Sequence, residues 1–86
     1  MPRISEFYGI TIWMYWLDHA PPHFHAQYEA DWAELTIAGR RVIRGSLPPR
    51  ALRLVREWAR EHADALTENW HRMAEGRAPV PIEPLR

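Results

Sequence analysis

The hydrophobic pattern changes period once, at Gly45-Ser46-Leu47-Pro48-Pro49, and that switch restricts the fold more than any motif does. Before it, apolar residues recur every second position. Ile10, Ile12, Met14 and Trp16 alternate with Thr11, Trp13 and Tyr15, and this second face is itself fairly apolar, as in a strand covered on both sides. Phe24, Ala26 and Tyr28 then alternate with His23, His25 and Gln27, and Ala33, Leu35 and Ile37 with Trp32, Glu34 and Thr36. A tight Ala30-Asp31 connection between these two runs would set Gln27 opposite Glu34 and His25 opposite Thr36. Ala38-Gly39-Arg40 turns the chain into a short further strand.

After the switch the period is helical. Ser46 can cap, proline is tolerated in a first turn, and no Pro or Gly interrupts residues 50–75. At 100° per residue Leu52, Val55, Trp58, Ala59, His62, Leu66, Trp70 and Met73 share one side, with Arg50, Arg53, Arg56 and Arg60 opposite. An unbroken helix over 47–75 would be about 40 Å long, roughly twice a typical strand. It must bend near Glu61 to Asp64 or project past the sheet, where exposed Trp70 and Met73 would favour a homodimer. Gly76 stops the helix, and the Pro-rich tail 77–86 is extended, with Ile82 and Leu85 as anchors.

The expected fold is therefore one α+β domain over residues 1–86. A small antiparallel sheet of three or four strands (about 8–17, 23–29, 32–38 and 41–44) packs one face on a long C-terminal helix, and the histidines lie on the other. Eighty-six residues are enough for one core only. Trp13, Trp16, Trp32, Trp58 and Trp70 are its first candidates, since each indole removes a large area from water. The chain has no Cys, which excludes disulfides, thiolate metal sites and a cysteine nucleophile. No apolar run has the length of a membrane span and no signal core opens the chain, so the expected setting is cytoplasmic, away from membranes.

The densest polar feature is Asp18-His19-Ala20-Pro21-Pro22-His23-Phe24-His25. His23 and His25, two apart on a strand, project from the same face, and the Pro-Pro pair restrains the chain between them and His19. Three uses fit this set. His19, His23 and His25 can ligate a divalent transition metal such as zinc, with Asp18 as a further ligand or as a partner behind one. The same imidazoles can act as general base and acid on an RNA 2′-hydroxyl, with Asp18 assisting. Or they are half-buried strand residues hydrogen-bonded to Thr36, Glu34 or backbone, with Asp18 capping a turn. His62 falls on the apolar side of the helix and reads as a core residue.

The second feature is a basic middle in a chain of zero net charge. Residues 40–60 carry Arg40, Arg41, Arg44, Arg50, Arg53, Arg56 and Arg60 against Glu57 alone. Such a field attracts RNA phosphates or an acidic protein partner, and a solvated helix face looks the same in sequence. If the helix buries the sheet's apolar face, its arginines point away from His23 and His25. Only Arg40, Arg41, Arg44 and the helix start can then approach the histidine loop.

The order Ile4-Ser5-Glu6-Phe7-Tyr8-Gly9-Ile10, Met14-Tyr15, Asp18-His19-Ala20-Pro21-Pro22-His23-Phe24-His25-Ala26, Gly45-Ser46-Leu47-Pro48 and Leu52-Arg53-Leu54-Val55 with Trp58 resembles a family of short prokaryotic proteins catalogued as a domain of unknown function. The resemblance covers nearly the whole chain, and the Asp-His-x-Pro-Pro-His-Phe-His string carries most of it. It implies a component of a toxin–antitoxin module, because members are often encoded beside another small protein. It transfers no catalytic role to any residue. Two functions follow as expectations. One is a toxin-like, endoribonuclease-like protein that cleaves RNA through the histidine cluster. The other is a non-enzymatic or metal-binding module that docks a cognate small antitoxin-like partner.

Overall fold

The computed structural model describes residues 2–86 and forms a five-stranded antiparallel meander followed by two helices. The strands are β1 (Arg3–Phe7), β2 (Ile10–Trp13), β3 (His23–Tyr28), β4 (Asp31–Thr36) and β5 (Val42–Ser46), in spatial order β1-β2-β3-β4-β5. The α+β class holds, but the sheet has one strand more than the sequence pattern suggests. The extra strand is β1. Its register shifts between Arg3 and Ser5, so Ile4 and Ser5 are both buried and the period of two is lost. Tyr8 and Gly9 join β1 to β2 with φ of 50° and 80°, the two positive angles that a two-residue hairpin turn of the primed kind requires.

The long helix is also corrected. It is two helices, α1 (Pro49–Glu61) and α2 (Ala63–Ala74), separated at His62, whose φ of −117° leaves the helical region. Pro48, not Ser46, is the residue before the first turn, and it makes no side-chain cap; Ser46 ends β5. After the break Met73 is buried and Trp70 packs against His23 with ring centroids 5.3 Å apart and the ring planes inclined by 52°. The basis for a homodimer through a projecting helix end is therefore gone.

The core lies between α1 and one sheet face. Ile10, Ile12, Phe24, Ala26, Ala33 and Leu35 from the strands meet Val55, Trp58 and Ala59, all fully buried. Of the five tryptophans only Trp58 is in this core. Trp16 and Trp32 are 44% and 47% exposed, and Trp13 and Trp70 are half-buried. The tail closes the structure along β1: the Ile82 N–H donates to the Ile4 carbonyl, and the Trp58 indole N–H donates to the Glu83 carbonyl at 2.8 Å. Asn69, buried on α2, both donates to and accepts from the backbone of Val80.

Gly45 shows how tightly β5 approaches β4. Its φ is +72°, and a Cβ there would collide with the Trp32 carbonyl oxygen and lie 3.0 Å from the Trp32 ring. Gly45→Ala is expected to destabilise the protein by about 1–3 kcal/mol in urea unfolding. Gly39→Ala, at the same kind of φ but in open space, isolates the backbone contribution and should cost less. Equal losses in the two variants would mean that the close approach carries no energy.

Candidate metal centre

The β3–β4 hairpin has a register two residues away from the one that an Ala30-Asp31 turn would set. Tyr28 pairs with Asp31 across a Glu29-Ala30 turn, and Glu29 takes φ +54°. His25 therefore faces Glu34, and His23 faces Thr36. A shift of two keeps each side chain on its face, so periodicity alone cannot detect it. The consequence is chemical: a carboxylate lies directly across from His25, with Arg44 of β5 next in the row.

Asp18 enters the same place from the loop after β2. Its Oδ1 accepts the His19 backbone N–H at 2.9 Å, leaving Oδ2 to face the strand. That oxygen is 2.9 Å from His23 Nε2 and 3.3 Å from His25 Nε2. Potential ligand atoms of Asp18, His23 and His25 all lie within 4.8 Å of one another. Glu34 Oε1 lies 3.5 Å from His23 Nε2, and Glu34 Oε2 lies 4.0 Å from His25 Nδ1. The His23 side chain is sealed from solvent, whereas Asp18, His25 and Glu34 keep 17%, 12% and 11% exposure and form the accessible edge.

His23 fixes the chemistry of this cluster. Its Nδ1 is 2.7 Å from the Pro21 carbonyl, which can only accept, so Nδ1 carries the hydrogen. His23 Nε2 is buried and without a hydrogen bond, and Glu34 Oε1 is likewise buried and unpartnered. Asp18 Oδ2 is close to Nε2 but makes no hydrogen bond with it. Asp18 Oδ2 accepts from His25 Nε2, but His23 Nε2 and Glu34 Oε1 are left without a hydrogen bond, a buried polar pair that a bound cation would satisfy.

The two perturbed groups agree with that need. Burial pushes the Asp18 carboxyl up, but the His19 N–H, the His25 hydrogen bond and the His23 and His19 rings outweigh it and hold the group below its ordinary 3.8. Burial holds His25 below its ordinary 6.5, despite the Asp18 hydrogen bond and the nearby Glu34. An ionised Asp18 and a neutral His25 are the states in which both can ligate a metal.

His19 is not brought into the set. Its ring is 58% exposed at the rim, with Nδ1 3.9 Å from Asp18 Oδ1. Glu34, weighed in the sequence only as a hydrogen-bond partner, is the residue that the corrected register adds.

The arginines divide. Arg44 is exposed beside the centre, its Nε 4.0 Å from Glu34 Oε1. Arg40, Arg53, Arg56 and Arg60 line a separate groove of about 490 Å³ with Leu52 and Glu57. The Arg56 Nε–H donates to the Arg40 carbonyl there. Arg41 and Arg50 are exposed outside that groove. Because α1 covers the opposite sheet face, the groove cannot place a ligand over the histidines.

A family model described as Domain of unknown function (DUF4160) matches residues 9–71, a span that contains Asp18, His23, His25 and Glu34. No curated protein and no solved structure gives a significant match. No helix among the described residues is long and apolar enough to cross a membrane.

Proposed function

We propose that this chain, which belongs to the family described as Domain of unknown function (DUF4160), holds a divalent transition metal such as zinc between Asp18, His23 and His25 and uses it to cleave RNA. The observation that carries the metal is the convergence of ligand atoms of Asp18, His23 and His25 within 4.8 Å of one another, with His23 Nε2 buried there and without a hydrogen bond. Two imidazoles and one carboxylate make a three-ligand set, the arrangement that leaves a position open for water.

When bound, the metal would lower the pKa of that water toward neutrality. Glu34, within reach of the ligand set and itself unpartnered at Oε1, is placed to take the water's proton. With the metal held, attack of that water's oxygen on phosphorus would break the ester P–O bond, and Glu34 would hand the proton it took to the departing ribose oxygen. Arg44, exposed next to Glu34, supports a phosphodiester as the group cleaved.

The test is metal analysis of protein purified without an affinity tag, followed by incubation of the loaded protein with a single-stranded RNA. About one zinc or other divalent transition metal per chain, and cleavage that chelation stops and zinc restores, are expected. A chain that takes up no such metal at neutral pH ends this reading. A second reading, docking of an acidic small partner protein, is favoured by the arginine groove on α1. It uses the other surface of the molecule and is compatible with the first.

A further inference from the structure

We propose that the hollow beside the metal centre is a nucleobase subsite, in which Trp32 stacks a base and thereby sets the scissile phosphate over the cluster. The proposal rests on the reading of that cluster as a phosphodiester-cleaving centre and names how its substrate is held.

The hollow encloses about 370 Å³ on the open sheet face and is lined by Trp13, Tyr15, His25, Gln27, Trp32 and Glu34. That volume lies within the range of small-ligand pockets. Its aromatic walls are not needed by the core. Trp32 is 47% exposed and Tyr15 37%, although a chain this small has every reason to bury its largest apolar side chains. His25 is already gripped by two of the rings. Trp13 lies parallel to it with an interplanar angle of 3° and centroids 6.2 Å apart, and Tyr15 meets it edge-on at 4.5 Å. Trp32 has no such ring partner among the described aromatic pairs, so its face is the one left for a ligand.

The polar groups suit a base rather than a lipid or a simple apolar ring. Gln27 lines the hollow directly across from Trp32, and because its Nε2 donates to the Glu29 carbonyl its Oε1 remains as an acceptor. A base carries both a π-face for Trp32 and N–H donors for that oxygen. From the base, a ribose and phosphate would reach toward His25 and Glu34, with Arg44 beside them. Stacking of this kind tolerates every base, so the expected substrate is single-stranded and weakly sequence-dependent.

The test is calorimetric titration of zinc-loaded and metal-free protein with AMP and UMP, and with ribose 5-phosphate as the probe lacking a base. Both nucleotides should bind the loaded protein, and ribose 5-phosphate should bind at least about tenfold more weakly. Trp32→Ala should weaken AMP binding about tenfold while leaving zinc stoichiometry and cooperative unfolding intact, and Trp32→Phe should restore most of it. The metal-free protein should still prefer AMP to ribose 5-phosphate, which separates this subsite from the metal: loss of zinc uptake would sink the centre without touching the base preference. Equal affinity for AMP and ribose 5-phosphate, or Trp32→Ala binding AMP like the parent, overturns the subsite.

Discussion

Asp18→Asn and His25→Gln are each expected to abolish metal loading at neutral pH while leaving a folded, cooperatively melting protein. Both replacements keep the side chain's approximate shape, so the loop and β3 have little reason to move. What they remove is ligand strength: an ionised carboxylate in one case and an imidazole nitrogen in the other. Loss of a partner that merely orients a ligand costs roughly 10–100-fold in affinity. Loss of one of three ligands should exceed that, whereas Glu34→Gln should fall inside it and lose RNA cleavage as well. The pH profile gives a second readout. Because burial holds His25 below 6.5, protons compete with the metal only at acidities beyond the ordinary imidazole range. Loading should therefore persist through pH 6.5 and fail as the pH drops further, with Asp18 still ionised in that range because its carboxyl is held below its ordinary 3.8. Metal analysis after dialysis across pH, read beside circular dichroism, checks both statements. Undiminished loading in Asp18→Asn would remove Asp18 from the centre and with it the three-ligand set.

How much of this was legible in the chain depends on which physical signal each feature leaves. The β3 and β4 faces were legible because alternation is a property of single strands, and it put His23 and His25 on one side. The register was not, since a slip of two residues preserves every face and only the left-handed Glu29 decides it. That slip is why Glu34 was not singled out. Strand β1 was hidden by its bulge, which buries the consecutive Ile4 and Ser5. The division of the helix at His62 has no Pro or Gly to announce it. Length alone suggested that a helix spanning residues 47–75 overshoots the sheet, and two segments resolve that mismatch. Tryptophan count misled in an informative way. Burial argues that a large side chain belongs inside, yet Trp32 stands on the open face, where a ligand site is the physical reason to leave it.

Trp58→Ala is expected to leave the metal-free protein only marginally stable at 25 °C, with a substantial unfolded fraction. Trp58 is wholly buried, with Phe7, Phe24 and His62 rings at centroid distances of 5.4, 6.0 and 5.6 Å, and its indole N–H holds the tail through Glu83. Truncating such a side chain costs about 3–5 kcal/mol, and a domain of this size has little more than the low end of the usual 5–15 kcal/mol to lose. Trp58→Phe keeps most of the ring and forfeits the bond to Glu83, at a cost of about 1–2 kcal/mol. The consequence reaches the proposed centre, because Phe24 sits between His23 and His25 on β3 and packs on Trp58 from the other face. If the native state alone binds zinc, free metal at 100 times its dissociation constant returns about 2.7 kcal/mol of stability. Zinc should then refold much of the Trp58→Ala population, and should fail to do so when Asp18→Asn is added. Urea unfolding monitored by circular dichroism, with and without zinc, reads both effects. A Trp58→Ala midpoint near that of the parent would contradict the core assignment, and equal rescue in the double variant would contradict the ligand assignment.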